Sequence, residues 1–467
     1  MSKSNPRRIS RQLQSLRQNW SRTPGLPAAA VLSTEQAQAA IDAEKVVFRD
    51  RLYTPLVTLF VFLGQVFEAD PSCRQAVSRF IAWLISQGRK ACSPATRGFC
   101  AARKRLPEAV LSRLTRETGK QLHEKHRQRW HWHGHAVKLL DGSMIAAPDT
   151  KANQKAYPQP STQKQGLGFP LIRIVVVFSL AVGTVLDAAY CPYKGKQTGE
   201  TALWRMLRHN LEPNDILLAD RYHCSYWEMA DALQRGTHVV ARMHQRRKND
   251  FRRGKRLGKD DYLMTWTKYP SCPEWMDKAT YAAIPASLTV RVIRILVPKG
   301  RNRMRKALVV TTLLDPSAYS KGEIAALYKR RWQVEIDLRS LKQTLQMDML
   351  RCKTPEMLHK ELWAHFLAYN LLRTVLAQAA EAHGREPWEI SFKGALQSLR
   401  AFAPILMNSS AEHWDEIYKD LLAAIAKHRV GNRPGRQEPR ALKRRPKQYR
   451  LLREPRQQAR ERLAKGK

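Results

Sequence analysis

Tyr328-Lys-Arg-Arg331-Trp-Gln-Val-Glu335-Ile-Asp-Leu-Arg-Ser-Leu-Lys342 decides how this chain is read. At ~100° per residue, a helix over this stretch brings Tyr328, Arg331, Glu335 and Lys342 within an arc of about 60°. Leu327, Val334, Leu338, Leu341 and Leu345 gather on the adjacent face by the same arithmetic. The pattern predicts a helix with one apolar side and, at its edge, a lone carboxylate flanked by cations and a phenol. Such an edge suits an active-site groove. Guanidinium and ammonium groups hold phosphate oxygens, and a carboxylate holds a metal ion.

Working outward, two more carboxylates stand out. The run at 136–140 predicts a short strand closing at Asp141-Gly-Ser, and the run at 215–219 predicts a buried strand closing at Asp220. Between them, 171–180 and 184–189 form a predicted hairpin turning at Gly183, followed by a helix at 200–209. A helix at 225–235 and a strand at 237–243 follow. The order β-β-β-α-β-α-β describes an α/β core, in which active residues belong at strand ends. Taken singly, Asp141 and Asp220 are ordinary turn formers. Together with Glu335 they make the three carboxylates that a pair of Mg²⁺ ions, ~3.5–4 Å apart, needs for phosphodiester chemistry.

The charge balance agrees. The chain has 467 residues with a formal net charge of +42, spread along its length rather than confined to one amphipathic helix. That excess expects a polyanion, and nucleic acid before a membrane surface. Seven scattered cysteines without a Cys-x-x-Cys pair indicate neither a zinc knuckle nor a disulfide framework. The longest apolar stretch, 170–184, is interrupted by Arg173 and too short to span a bilayer. These features predict a soluble protein of the cytoplasm.

Texture divides the chain into a basic arm (1–32), a helical DNA-binding region (33–134), a first core part (135–243), a β-rich insertion (244–317), the glutamate helix completing the core (318–350), a C-terminal helical region (351–428) and a basic tail (429–467). Helices at 75–88 and 94–105 are a candidate helix-turn-helix, the second carrying Arg97, Arg103, Lys104 and Arg105. His131, His133 and His135 alternate with tryptophans in an extended linker, a pattern that favours structure over metal binding.

The order Asp141 … Asp220 … Tyr328-x₂-Arg331-x₃-Glu335-x₆-Lys342 resembles the DDE transposases of bacterial insertion sequences. More narrowly, it is similar to the subgroup marked by a tyrosine–arginine–glutamate–lysine motif. The stretch 215–226 and Gly168-Phe-Pro170 are similar to further blocks of that family. The resemblance implies a ribonuclease H-like catalytic core with a β-rich insertion, flanked by N- and C-terminal helical regions. It implies that Asp141, Asp220 and Glu335 are catalytic and ligate two Mg²⁺ ions, with Mn²⁺ able to substitute. Tyr328, Arg331 and Lys342, with Arg221, would grip the DNA end, and Trp266 or Trp275 would stack on an extruded base. Trp332, off the apolar face, stays unassigned. The implied activity is binding of terminal inverted repeats, hydrolysis at the ends and joining of the 3′-hydroxyls to target DNA. The implied partners are double-stranded DNA, as transposon ends and target, and a second copy of the chain in a DNA-bound homodimer. No membrane is involved, and the location is the bacterial cytoplasm at the nucleoid. Two alternatives remain: a ribonuclease H-like nuclease without strand transfer, and a non-catalytic basic DNA-binding protein, for which three carboxylates near phosphate have no use.

Overall fold

The computed structural model describes residues 31–48, 52–247, 250–299, 303–431 and 451–465. The basic arm up to residue 30, and the tail from 432 to 450, lie outside them. Among the described residues, nine strands form one sheet in the order β3-β2-β1-β4-β5-β9-β8-β7-β6. The core half comprises β1 (Val137–Ala146), β2 (Leu171–Ser179), β3 (Val185–Pro192), β4 (Ile216–Ala219) and β5 (His238–Arg242). β1, β2 and β3 form an antiparallel meander, and β4 and β5 continue it in parallel with β1. This is the mixed α/β sheet expected of a ribonuclease H-like core.

Alternation along the strands builds a core on each face of the sheet. Leu139, Ile174, Val176 and Leu218 join the larger cluster, while Leu140, Val175, Val177 and Leu217 join the other. The larger cluster fills the space beneath helices α1 (Thr34–Ala43), α2 (Pro55–Phe67), α3 (Cys73–Ser86), α4 (Arg97–Arg105) and α5 (Glu108–Lys125). α6 (Glu200–Leu207) and α7 (Tyr226–Gln234) cover the opposite face.

The segment after β5 does not stand apart. β6 (Lys255–Gly258), β7 (Asp261–Thr267), β8 (Ser287–Lys299) and β9 (Arg303–Thr311) extend the same sheet, because β9 pairs antiparallel with β5, Val240 opposite Thr311. The chain then enters α8 (Lys321–Lys329) and α9 (Gln333–Arg339), and later the buried α10 (Pro355–Ala382), α11 (Phe392–Asn408) and α12 (Ala411–Lys427). The Asn370 amide ties α10 to its neighbours. It accepts from Val185 N at 2.8 Å and donates to Val185 O at 2.8 Å and to Thr115 O at 2.9 Å. Gly119 allows that approach, since a Cβ there would lie 2.2 Å from the Val185 carbonyl oxygen.

Two expectations need correction. β1 does not close at Asp141 but runs on to Ala146, with Asp141 opposite Val176. The local turn chemistry of Asp-Gly-Ser yields to a partner strand that pairs with it residue by residue. The stretch 328–342 is helical but not one regular helix. A 3₁₀ turn, Arg330–Trp332, separates α8 from α9, and a π turn, Ser340–Thr344, follows α9. Such π turns recur at functional sites.

Candidate active site

Strand register puts the first two carboxylates together. β1 and β4 pair in parallel from Val137 opposite Ile216 to Leu139 opposite Leu218. Carried two residues further, the same offset sets Asp141 level with Asp220, on strands ~4.8 Å apart. β4 ends at Ala219, so the β4-side edge of β1 opens where Asp141 sits. Asp141 accepts from Gly142 N at 2.9 Å, and Asp220 accepts from Tyr222 N at 2.8 Å as it caps the turn Arg221–His223. Burial pushes the Asp141 carboxyl up to about 6, and the nearby Asp220 and Glu200 charges add to the rise. The Gly142 hydrogen bond and the Arg331 guanidinium oppose it.

The glutamate arrives from the helix. Arg331 Nη2 donates to Glu335 Oε1 at 2.8 Å, four residues apart in sequence. Arg331 is also close enough to Asp141 and Tyr328 for their charges to favour its cationic form, against the cost of burial. Tyr328 is buried, which raises its phenol, while Arg331 and Arg242 pull it down. Lys342 Nζ donates to Ser143 Oγ and Met144 O, both at 3.0 Å, and so docks the π turn onto β1 beyond Asp141. Arg331 thus pairs with Glu335 while its charge also acts on Asp141. Among the described residues, no set of three or more His, Cys, Asp or Glu side chains lies at metal-holding distance.

Arg221 is placed beside the site, with Nη1 on Gln245 Oε1 at 2.9 Å. The two insertion tryptophans are elsewhere. Trp266, on β7, is 3% exposed in the smaller core cluster on one face of the sheet, with Arg247 Cζ 3.8 Å above its ring. Trp275 is half-buried under Arg205. Trp332, on the 3₁₀ turn next to Arg331, is 59% exposed. In the N-terminal pair of helices, Arg103 faces inward on Phe62, Phe99 and Gln65, whereas Arg97, Lys104 and Arg105 are exposed. The histidines of the linker are structural. His135 bridges Asn214 O and the Tyr319 hydroxyl at 2.7 Å each, and His133 faces Glu323.

Sequence reasoning missed Glu200. It opens α6, and a Cβ on Gly142 would lie 2.6 Å from its carboxyl carbon. The signal was present as a glycine inside a strand, which marks close approach by another group.

Comparison with known proteins gives this geometry its family. The model of the transposase DDE domain matches residues 132–371, just over half of the chain. The chain belongs to the DDE transposase family. The matched span contains all three carboxylates and the striped helix. The transposase InsG of insertion sequence element IS4 from Escherichia coli K12 is 26% identical over 422 residues, covering 86% of this chain and 88% of that protein. A probable transposase of insertion sequence element IS5377 from Geobacillus stearothermophilus is 39% identical over 85 residues, 18% of this chain and 22% of that one. Among solved structures, a piggyBac transposase synaptic complex with hairpin DNA aligns over 89% of this chain and 87% of its own, at TM-score 0.42 and 10% identity. As a member of the DDE family, this transposase is a metal-dependent enzyme acting on DNA. Asp141, Asp220 and Glu335 offer only carboxylate oxygen, the donor chemistry that a hard divalent ion takes. Burial is the main reason the Asp141 carboxyl is raised, with the nearby Asp220 and Glu200 charges adding to it, and a cation held beside Asp141 would favour its charged form. Among the described residues, no helix is long and apolar enough to cross a membrane.

Proposed function

We propose that Asp141, Asp220 and Glu335 are the metal-holding catalytic set of a cut-and-join transposase. The observation that carries this reading is the register of β1 and β4, which sets the two aspartates side by side at an open strand edge. Two Mg²⁺ ions, or Mn²⁺ in their place, would supply activation of a water or 3′-hydroxyl and stabilisation of the leaving oxygen. The protein does the rest. Asp141 is held within β1 and Asp220 just past the end of β4, and Glu335 is aimed by its bond to Arg331. When DNA enters, the Arg331 fork passes from Glu335 to a phosphate, which frees the glutamate to complete the set. Tyr328 and Lys342 flank that phosphate, and Arg221 contacts the backbone nearby. The activity is binding of the terminal inverted repeats, hydrolysis at the ends and joining of the 3′-hydroxyls to target DNA, in a homodimer that pairs two ends. Whichever tryptophan receives an extruded base, Trp266 must first leave its pocket under Arg247, while Trp275 need only shed Arg205.

The test is substitution with end DNA as substrate. Asp141→Ala, Asp220→Ala and Glu335→Ala should each abolish Mg²⁺-dependent cleavage and leave end binding intact. Cleavage retained by any one removes that residue from the set. Supplying pre-cut ends with a 3′-hydroxyl separates strand transfer from hydrolysis, because a nuclease of this fold gives no joined product.

A further inference from the structure

A cleft of about 550 Å³ lies along the flank of α9 and the π turn, walled by α11 and by the chain at 388–393 and 429–431. Its lining includes Arg339, Lys393, Arg400 and Arg429 and, among the described residues, no Asp or Glu. Arg373 also lines it but is committed to Asp337. Arg339, Lys393 and Arg429 are exposed, and among the described residues none makes an ion pair. Arg400 spends its Nε on Phe67 O, while its Nη2 is buried with no hydrogen bond. Ile336 and Trp388 supply apolar wall.

Like charges gathered in one cleft repel each other, and a polyanion relieves that repulsion. The chain's own basic tail and a second copy of a +42 chain carry the wrong sign to do so. Position argues for the same partner. Arg339 is four residues beyond Glu335, so it sits ~40° round the helix and ~6 Å along its axis. The cleft therefore opens within about two base-pair steps, at ~3.4 Å each, of the glutamate.

We propose that this cleft holds the phosphodiester backbone of duplex DNA next to the cleavage position, as a second backbone track distinct from the Tyr328–Lys342 stripe. The assignment rests on the proposed site at Asp141, Asp220 and Glu335 only for where the DNA enters. Contacts there go to phosphate, so they add affinity and orientation without sequence preference.

The experiment uses the full chain, without metal, and a duplex spanning one terminus of the element that encodes it. Binding is measured across a salt series for the wild type, for Arg339→Glu/Lys393→Glu/Arg429→Glu and for the charge-keeping Arg339→Lys/Lys393→Arg/Arg429→Lys. Losing three phosphate contacts should lower the slope of log K against log salt by about 2–3, at ~0.9 per phosphate. The charge-keeping variant should retain the slope. Phosphate-ethylation interference should lose a cluster of positions next to the cleavage site and keep those at the site itself. An unchanged slope and unchanged interference pattern in the glutamate variant overturn the proposal. If the triple variant melts early, the single changes Lys393→Glu and Arg429→Glu, each at an exposed position, must each lower the slope by about 1. Asp141→Ala separates the two readings. It should keep the full slope in the metal-free assay and lose cleavage of the same duplex once Mg²⁺ is added, and cleavage retained with Mg²⁺ would overturn the metal site without touching the cleft.

Discussion

Replacing Arg373 with methionine tests how the glutamate is aimed. Arg373, on α10, is 3% exposed in its side chain and pairs with the fully buried Asp337 of α9, two residues from Glu335. Its Nε also donates to the Tyr369 hydroxyl at 2.9 Å, and Gln333 Nε2 donates to Asp337 at 3.2 Å. The pair is the polar rivet between the glutamate helix and the central helix of the molecule. Removing one partner leaves a buried charge uncompensated, which costs about 3–5 kcal/mol. That is a large share of the ~5–15 kcal/mol by which a typical domain is stable. Replacing both partners with apolar groups, as in Asp337→Leu/Arg373→Met, removes the buried charges together and should recover most of the loss. The assay is urea unfolding by far-UV circular dichroism, with DNA cleavage measured beside it. The expected order of stability is wild type near the double variant, and Arg373→Met well below both. The double variant should nevertheless cleave more slowly, because the polar contacts that fix the rotation of α9 are gone. If Arg373→Met lies within ~1 kcal/mol of wild type, or the double variant is as unstable as the single, the rivet reasoning fails.

Gly119→Ala should destabilise by about 1–3 kcal/mol despite the better helix propensity of alanine, because the new methyl meets the Val185 carbonyl at 2.2 Å; a melting temperature at or above wild type would refute that packing. Arg331→Ala should weaken end binding and alter the cleavage position, and an unchanged cleavage profile on end DNA would remove its phosphate role. Burial holds His126 down at about 4, and it also lowers buried His223 and His365, so the unfolded chain takes up protons at these sites before the folded one. Stability should therefore fall as pH drops from about 6.5 towards 4, and His126→Leu should flatten the melting-temperature profile over that window. Trp332→Ala should leave the unfolding midpoint unchanged, since the side chain is 59% exposed, and any stacking role should appear as a smaller fluorescence quench on DNA binding.

The family and the candidate residues were more legible than their geometry. Asp141, Asp220 and the residues at 328, 331, 335 and 342 announced themselves through spacing and strand runs, because a helix face and a strand end are local properties. Asp141 was misplaced along its strand because Asp-Gly-Ser has turn chemistry, and only the pairing with β2 outweighs it. The 3₁₀ and π turns were invisible because average helix periodicity does not register a gain or loss of part of a turn. The π turn is set by contacts with β1, where Ser143 and Met144 receive Lys342. Glu200 was out of reach for a different reason: its approach over Gly142 joins residues distant in sequence, and only the glycine hints at it. The Arg331–Glu335 bond follows from i,i+4 spacing, but the nearness of Arg331 to Asp141 required the fold.

The unbroken sheet has a mechanical consequence. Adjacent strands rotate by roughly 20–25°, so the five steps from β4 to β6 accumulate on the order of a quarter turn. The far margin of the insertion is therefore turned nearly crosswise to the strand that bears Asp141 and to the one that leads into Asp220, so a duplex lying along one cannot follow the other.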